Sequence, residues 1–138
     1  MMRILGIDYG DSRVGVAVCD PMGWTAQGIE SLDAKKGINN LLEKIENVIK
    51  SYNVEKIVVG FPLNMNGTIG PRGEKTNEFI KIIEDKFRLP VIKWDERLTT
   101  VSAQRVMIET NVKKSKKRGI VDTISATYIL QGYLDSIK

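Results

Sequence analysis

The first third of the chain carries its apolar residues in short runs typical of β-strands. Residues 3–8 form one run that ends in an aspartate, and residues 14–19 alternate valines with small residues, so that the valines share one face. A turn signal over residues 20–23 precedes a third strand predicted at about residues 24–30. Because short turns join the three predicted strands, the pattern predicts an antiparallel meander.

From residue 38 onward the apolar positions follow the period of helices. Between Ile38 and Tyr52 they recur three or four positions apart, which predicts an amphipathic helix. Pro71 suits the first position of a second helix, whose apolar face extends to Phe87. A short strand is predicted after each of these two helices, at residues 57–60 and 91–94. The strand at residues 57–60 is wholly apolar, as expected when both of its faces are covered.

The remaining elements complete a mixed sheet. We predict a helix from Thr99 or Thr100 to about Thr110, then a basic loop, then a last helix over roughly residues 120–136. The whole order predicts an α/β fold, with a five-stranded mixed sheet and helices on both faces. Right-handed crossovers make the first, fourth and fifth strands parallel. Their carboxyl ends then share one edge, where open α/β sheets carry their functional sites.

Composition indicates an ordinary globular protein, which we expect to form a single domain over residues 1–138. The 138 residues are 42% apolar and 28% charged. No apolar run approaches the roughly 20 residues that span a bilayer, and the start lacks a signal-peptide pattern. The lone Cys19 lies among small strand residues, which predicts a reduced core thiol. We therefore expect a cytoplasmic protein with no membrane partner.

The basic charge is concentrated in one segment, residues 113–118. The net charge is +4, but without the five cations of this segment 16 basic residues face 17 acidic ones. The five cations are Lys113, Lys114, Lys116, Lys117 and Arg118. A local excess of this kind indicates a polyanion that is bound at one place, whereas a solvated loop is the alternative interpretation.

The chemistry available to the chain is restricted, because it has no histidine and one cysteine. Carboxylates that hold Mg²⁺ or Mn²⁺ are the tools that remain for a hydrolase. Asp8 ends the first predicted strand. Asp95 and Glu96 follow the fifth, and Asp122 lies in the first turn of the last predicted helix. Two metal ions need shared carboxylates from separate elements, and this arrangement supplies them.

Each of these carboxylates also has an ordinary structural explanation. Asp8 could order a turn before Gly10, and Asp122 could complement a helix N-terminus. Asp95 and Glu96 could form a solvated acidic pair, with Arg97 as the counter-ion.

Five segments of the chain together resemble the YqgF (RuvX) family of small bacterial nuclease-like proteins. They are residues 6–10, 14–17, 59–64, 95–100 and 121–126. The resemblance implies a single RNase H-like nuclease domain with a divalent-metal site, in which Asp8, Glu96 and Asp122 match the acidic positions. It also implies a role in processing the 5′ end of pre-16S ribosomal RNA, or in resolving Holliday junctions. Whether Asp95 or Glu96 faces the metals depends on a one-residue register, and the family match favours Glu96.

Further substrate contacts are predicted around these carboxylates. Gly10 would let the backbone turn beside a phosphate, although a hairpin glycine is the alternative. Ser12 and Arg13 could contact the nucleic-acid backbone. Arg97 could neutralise phosphate charge, with a salt bridge as the alternative. The basic segment would bring phosphates toward the metals.

The sequence thus predicts an endonuclease that uses Mg²⁺ or Mn²⁺, with two ions, to hydrolyse phosphodiester bonds. We expect RNA to be preferred to DNA. We also expect a monomer or weak homodimer, because each apolar helix face is accounted for by packing on the sheet. The alternatives are a Holliday junction resolvase, a nucleic-acid-binding regulator without turnover, and a nucleotide-binding ATPase lobe. The last would need a second lobe for which 138 residues leave no room.

Overall fold

A computed structural model of the chain describes residues 3–98 and 114–137, including the side chains of residues 3–98 and 123–137. The strands are β1 (Arg3–Tyr9), β2 (Arg13–Cys19), β3 (Ala26–Asp33), β4 (Val54–Phe61) and β5 (Val91–Asp95). The helices within these ranges are α1 (Ile38–Tyr52), α2 (Pro71–Phe87) and α3 (Lys114–Ser136), and a 3-10 turn covers Glu96–Leu98. None of the helices in the described ranges is both long and apolar enough to cross a membrane.

The five strands form one mixed sheet, in the order β3-β2-β1-β4-β5. β2 is antiparallel to both β1 and β3, whereas β1, β4 and β5 run parallel. This confirms the predicted meander followed by parallel strands. The carboxyl ends of the parallel strands, at Tyr9, Phe61 and Asp95, therefore meet at one edge of the sheet.

Each face of the sheet has its own core. On one face, the valines of β2 are buried together with Leu5, Ile7 and the apolar sides of α1 and α2. On the other face, Ala17 and Cys19 pack with α3. Helices thus cover both faces, as predicted, and the small residues of β2 face α3. Cys19 is a buried free thiol, as predicted.

Helix α3 lies directly on the backbone of the central strands and runs opposite to β1. A Cβ placed on Gly6 would be 2.7 Å from the Cβ of Leu130 and 3.1 Å from the carbonyl oxygen of Ala126. Further along the helix, the hydroxyl of Tyr133 accepts a hydrogen bond of 3.2 Å from Lys56. Lys56 pairs with Ile4, near the amino end of β1. The earlier turns of α3 therefore lie toward the carboxyl ends of the parallel strands.

Several boundaries differ from the predictions: β4 begins three residues early, at Val54, and two others have a clear local cause. The basic segment was predicted as a loop, but α3 begins at Lys114, so residues 114–118 are helical. Lysine and arginine have high helix propensity, and nothing in that run breaks a helix. β3 begins at Ala26 because the Asp20 carboxylate holds the preceding turn, accepting bonds of 2.7 Å and 3.1 Å from the N–H groups of Trp24 and Thr25. The helix predicted from residue 99 or 100 to residue 110 lies outside the described residues.

Candidate functional site

Asp8 is a buried carboxylate on a central strand. Its side chain is 8% exposed. Ile7 belongs to the core under α1 and α2, so the alternation of β1 turns Asp8 to the opposite face, toward α3. Burial of a carboxylate is costly unless the surroundings compensate for it. Such burial is unusual for an aspartate that only orders a turn.

Glu96 lies on the same face, above the neighbouring strand. A Cβ placed on Gly60 would be 3.2 Å from Glu96 Oε1, so the carboxylate rests over the bare backbone of β4. Ile7 pairs with Val59, so Asp8 and Gly60 lie one residue further along adjacent strands. Because adjacent strands are about 4.8 Å apart, the two carboxylates occupy neighbouring positions at the carboxyl edge.

Asp95 is engaged elsewhere, which distinguishes it from Glu96. Trp94 packs in the α3 core, so strand alternation puts Asp95 on the other side. Glu96 belongs to the 3-10 turn, and its contact over Gly60 places it on the side of α3. Asp95 Oδ2 accepts a hydrogen bond of 2.8 Å from Nη2 of Arg97. These bonds from Arg97 lower the pKa of Asp95, and the same contact raises the pKa of Arg97. The geometry therefore brings Glu96, and not Asp95, beside Asp8.

Arg97 forms the salt bridge that was the alternative to a phosphate contact. Besides Asp95, its Nη1 donates a hydrogen bond of 3.4 Å to the carbonyl oxygen of Met65. Met65 belongs to the loop after β4, which is closed by a bond of 2.9 Å from the N–H of Asn64 to the carbonyl oxygen of Thr68. Sequence reasoning missed this link between the two loops, because no sequence signal pairs residue 65 with residue 97.

Residue 122 belongs to α3, one turn before Ala126, and its side chain lies outside the description. The backbone of Ala126 faces Gly6. From Gly6 to Asp8 the strand advances by about 6.6 Å, roughly the rise of four helical residues. Because α3 runs opposite to β1, the backbone of residue 122 lies level with Asp8. The fold thus brings the three predicted acidic positions to one edge.

The hairpin between β1 and β2 lies at the same edge. The N–H of Gly10 donates a hydrogen bond of 3.0 Å to the carbonyl oxygen of Arg13, and a Cβ on Gly10 would be 2.7 Å from that oxygen. Gly10 therefore has the hairpin role that was the alternative to a phosphate contact. Ser12 is exposed, and its carbonyl oxygen accepts a bond of 2.9 Å from Ala34. Val14 is in the core under α1, so Arg13 shares the face of Asp8.

The basic segment lies beyond the carboxylates. Lys114, Lys116, Lys117 and Arg118 are in the first turns of α3, whose backbone extends past the level of Asp8 at the sheet edge. Lys113 and the side chains of the other four residues lie outside the description.

The donor set suits a hard divalent cation. Carboxylate oxygens are the ligands that Mg²⁺ and Mn²⁺ prefer, and the bare backbone of Gly60 leaves room for the Glu96 carboxylate. Among the described residues, no group of three His, Cys, Asp or Glu side chains is close enough together to hold an ion. Asp8 and Glu96 supply two carboxylates, and a third would have to come from α3 at residue 122.

Comparisons with known proteins point to a family of nucleases. A family model described as "RuvX: Holliday junction resolvase" matches residues 2–136. A protein of Ruminiclostridium cellulolyticum named "Putative pre-16S rRNA nuclease" is 61% identical over 99% of this chain and 96% of its own length. A protein of the same name from Acetivibrio thermocellus is 55% identical over 98% of this chain and 96% of its own length.

Among solved structures, the chain is similar to T. thermophilus RuvC in complex with a Holliday junction substrate. The TM-score is 0.62, with 12% identity, over 100% of this chain and 98% of RuvC. At this identity the likeness concerns the fold, which is RNase H-like, as predicted. The family model and the relatives both cover nearly the whole chain, and the chain therefore belongs to the RuvX family.

Proposed function

We propose that the chain is a divalent-metal-dependent endonuclease whose substrate is the 5′ region of pre-16S ribosomal RNA. The enzyme class follows from the family and from relatives named as nucleases: the chain is a hydrolase of nucleic-acid ester bonds. The metal dependence and the RNA substrate are the proposed part. The observation that carries the metal dependence is the Glu96 carboxylate over Gly60, beside the buried Asp8. The RNA substrate is supported by the names of the relatives.

In this proposal, Asp8, Glu96 and Asp122 hold the ions. Two ions, Mg²⁺ or Mn²⁺, would supply an activated water and stabilise the leaving oxygen. The chain has no histidine, so the proton of the attacking water passes to solvent or to a substrate phosphate. Catalysis then depends on positioning and charge neutralisation, as in phosphoryl transfer generally.

Nucleic-acid binding falls to groups around the carboxylates. Ser12 and Arg13 at the hairpin would contact the backbone of the substrate, and the basic segment would attract its phosphates. Such contacts fix the register of the strand but read no sequence. RNA processing of this kind is a cytoplasmic reaction in bacteria, in keeping with the expected location.

Removal of a ligand tests the site directly. We expect Asp8→Asn, Glu96→Gln and Asp122→Asn each to lower kcat by at least about 100-fold. The melting temperature without metal should be unchanged or raised in Asp8→Asn and Glu96→Gln, since each substitution relieves repulsion between neighbouring carboxylates. The measurement is cleavage of an end-labelled pre-16S fragment at saturating Mn²⁺.

A matched control is Asp85→Asn, which removes an exposed carboxylate from α2 and should cleave like the wild type. Wild-type turnover by Asp8→Asn would disprove the proposed site. An inactive Asp95→Asn beside a fully active Glu96→Gln would assign the ligand to Asp95 instead.

Resolution of Holliday junctions is the second candidate function. It is favoured by the description of the family and by the RuvC-like fold. The names of the relatives favour the ribosomal substrate. Which of the two substrates is cleaved depends on the oligomeric state, because a resolvase needs two active sites related by a twofold axis.

A further inference from the structure

We propose that the Asp95–Arg97 ion pair is a positioning device that holds Glu96 over Gly60, and that Arg97 does not bind substrate phosphate. This inference rests on the proposed metal-dependent nuclease, because it assigns a role to residues that flank a proposed ligand. It concerns the 3-10 turn at Glu96–Leu98, where the chain leaves β5.

Several hydrogen bonds join Arg97 to Asp95. The N–H of Arg97 donates to Asp95 Oδ1 at 2.9 Å, which fixes the backbone on both sides of Glu96. The Nε of Arg97 lies 3.1 Å from each carboxylate oxygen, and Nη2 lies 2.8 Å from Oδ2. Bidentate pairs of this kind add geometric specificity as well as attraction.

Arg97 also contacts the loop after β4. Nη1 of Arg97 donates to the carbonyl oxygen of Met65 at 3.4 Å. A Cβ placed on Gly67 would be in ordinary contact with the same nitrogen, at 3.5 Å, so the loop packs closely against the guanidinium. The φ of +84° at Gly67 favours glycine at this turn. The loop begins directly after β4, the strand that contains Gly60. The guanidinium therefore connects the turn that carries Glu96 with the strand over which Glu96 lies.

Both edges of the guanidinium that can grip a phosphate already have partners. Nε and Nη2, which form one of these edges, hold Asp95. Nη1, which forms the other edge with Nη2, is bonded to the carbonyl oxygen of Met65. To bind a phosphate in that way, Arg97 would have to release Asp95 and the turn.

The Asp95–Arg97 pair is expected to contribute little to the stability of the fold. The side chains are 40% and 22% exposed for Arg97 and Asp95, and exposed pairs contribute little to folding free energy. What the pair does fix is the path of the backbone between its members. Glu96 is the residue between them, and its Oε1 lies 3.2 Å from the point where a Gly60 Cβ would be.

The test is Arg97→Lys, which keeps the charge but cannot reproduce the bidentate grip. Mn²⁺ affinity is measured by calorimetry, independently of turnover. RNA binding is measured in Ca²⁺ over a range of salt concentrations. We expect Mn²⁺ binding to weaken by about 10- to 100-fold, as for other residues that orient metal ligands. The RNA affinity and its salt dependence should equal those of the wild type.

Asp95→Asn is the second variant, and it should show the same loss of Mn²⁺ affinity. Lys50→Gln removes an exposed ion pair from α1, with Glu46 at 3.8 Å, and is the control for loss of a surface pair. Thermal unfolding verifies that each variant is folded.

Two results would overturn the inference while leaving the nuclease proposal intact. One is wild-type Mn²⁺ affinity in Arg97→Lys together with a log–log salt slope lower by about 0.7–0.9 in Arg97→Gln, which removes the charge and therefore reports a lost phosphate contact. The other is no change in either quantity, which means an ordinary surface ion pair. If the wild-type protein itself neither binds Mn²⁺ nor cleaves RNA, the proposed function fails and the positioning role fails with it.

Discussion

At the scale of single residues, the candidate site depends on a glycine. Gly60 is the position at which β4 lies under both Glu96 and Ile129, and any side chain there would compete with them. The sequence predicted Asp8 and Glu96 as ligands from strand ends and a family resemblance. It offered no signal for Gly60, because the partners of this glycine are 36 and 69 positions away and meet it only in the folded sheet.

Gly60→Ala should therefore lower the Mn²⁺ affinity strongly and the melting temperature only modestly. The new Cβ would be 2.4 Å from Ile129 Cδ1 and 3.2 Å from Glu96 Oε1. The end of the isoleucine can rotate away at an overpacking cost of about 1–3 kcal/mol. The carboxylate must also shift, by a few tenths of an ångström, from the position in which it lies beside Asp8. We expect a melting temperature lowered by a few degrees, and a Mn²⁺ affinity lowered by about tenfold or more in calorimetry.

Gly6→Ala is the control that separates the two effects. Its Cβ would meet the Cβ of Leu130 at 2.7 Å, which crowds α3 without adding an atom beside Glu96. We expect it to cost more stability and less Mn²⁺ affinity than Gly60→Ala. Equal losses of affinity in the two variants would mean that Gly60 acts only through the packing of α3.

At the scale of elements, apolar periodicity predicted most of the fold, but it placed the start of α3 at about residue 120 and not at Lys114. The bounds of α1 follow from a clear apolar stripe, and the strands of the meander follow from alternation. The choice of Glu96 over Asp95 could not be made from the pattern alone, because a 3-10 turn follows β5 and Arg97 binds Asp95. The start of α3 was missed because its first turns are charged and carry no apolar stripe.

The helical start of α3 changes what is expected of the basic segment. A charged loop is free to adapt to its surroundings, whereas a helix fixes the spacing of its cations along one direction. Replacing Lys113, Lys114, Lys116, Lys117 and Arg118 by Gln should weaken RNA binding and flatten its salt dependence. Each lost phosphate contact removes about 0.7–0.9 from the log–log slope. Filter binding in Ca²⁺ between 50 mM and 200 mM salt measures this slope.

Gln has a helix propensity close to that of Lys and Arg, so the substitutions should leave α3 intact by circular dichroism. The control replaces Lys50, Lys81 and Lys86, which lie on α1 and α2 across the sheet from α3. A slope that stays at the wild-type value in the five-residue variant would mean that the segment is only a solvated charged helix end.

At the scale of the whole molecule, the described residues present one candidate site and a sheet whose outer strands are β3 and β5. Helices cover both faces, and the large exposed apolar side chains of the described residues belong to several separate turns and helices. Examples are Trp24 in the turn before β3, Met65 in the loop after β4, and Ile82 on α2. Exposed apolar residues that belong to separate elements do not by themselves indicate, among the described residues, the continuous apolar patch of an obligate dimer.

Substrate choice follows from this surface. A resolvase must cut two symmetric strands of a four-way junction, which requires a twofold dimer with two active sites. Trimming one RNA end needs a single cut and a single site, which a monomer supplies. We therefore predict a monomer or weak dimer at micromolar concentration, measured by light scattering, and faster cleavage of a pre-16S fragment than of a four-way DNA junction of equal length. A stable dimer that introduces paired symmetric nicks into the junction would instead assign the chain to junction resolution. It would leave the metal site unchanged, because the same carboxylates serve either backbone.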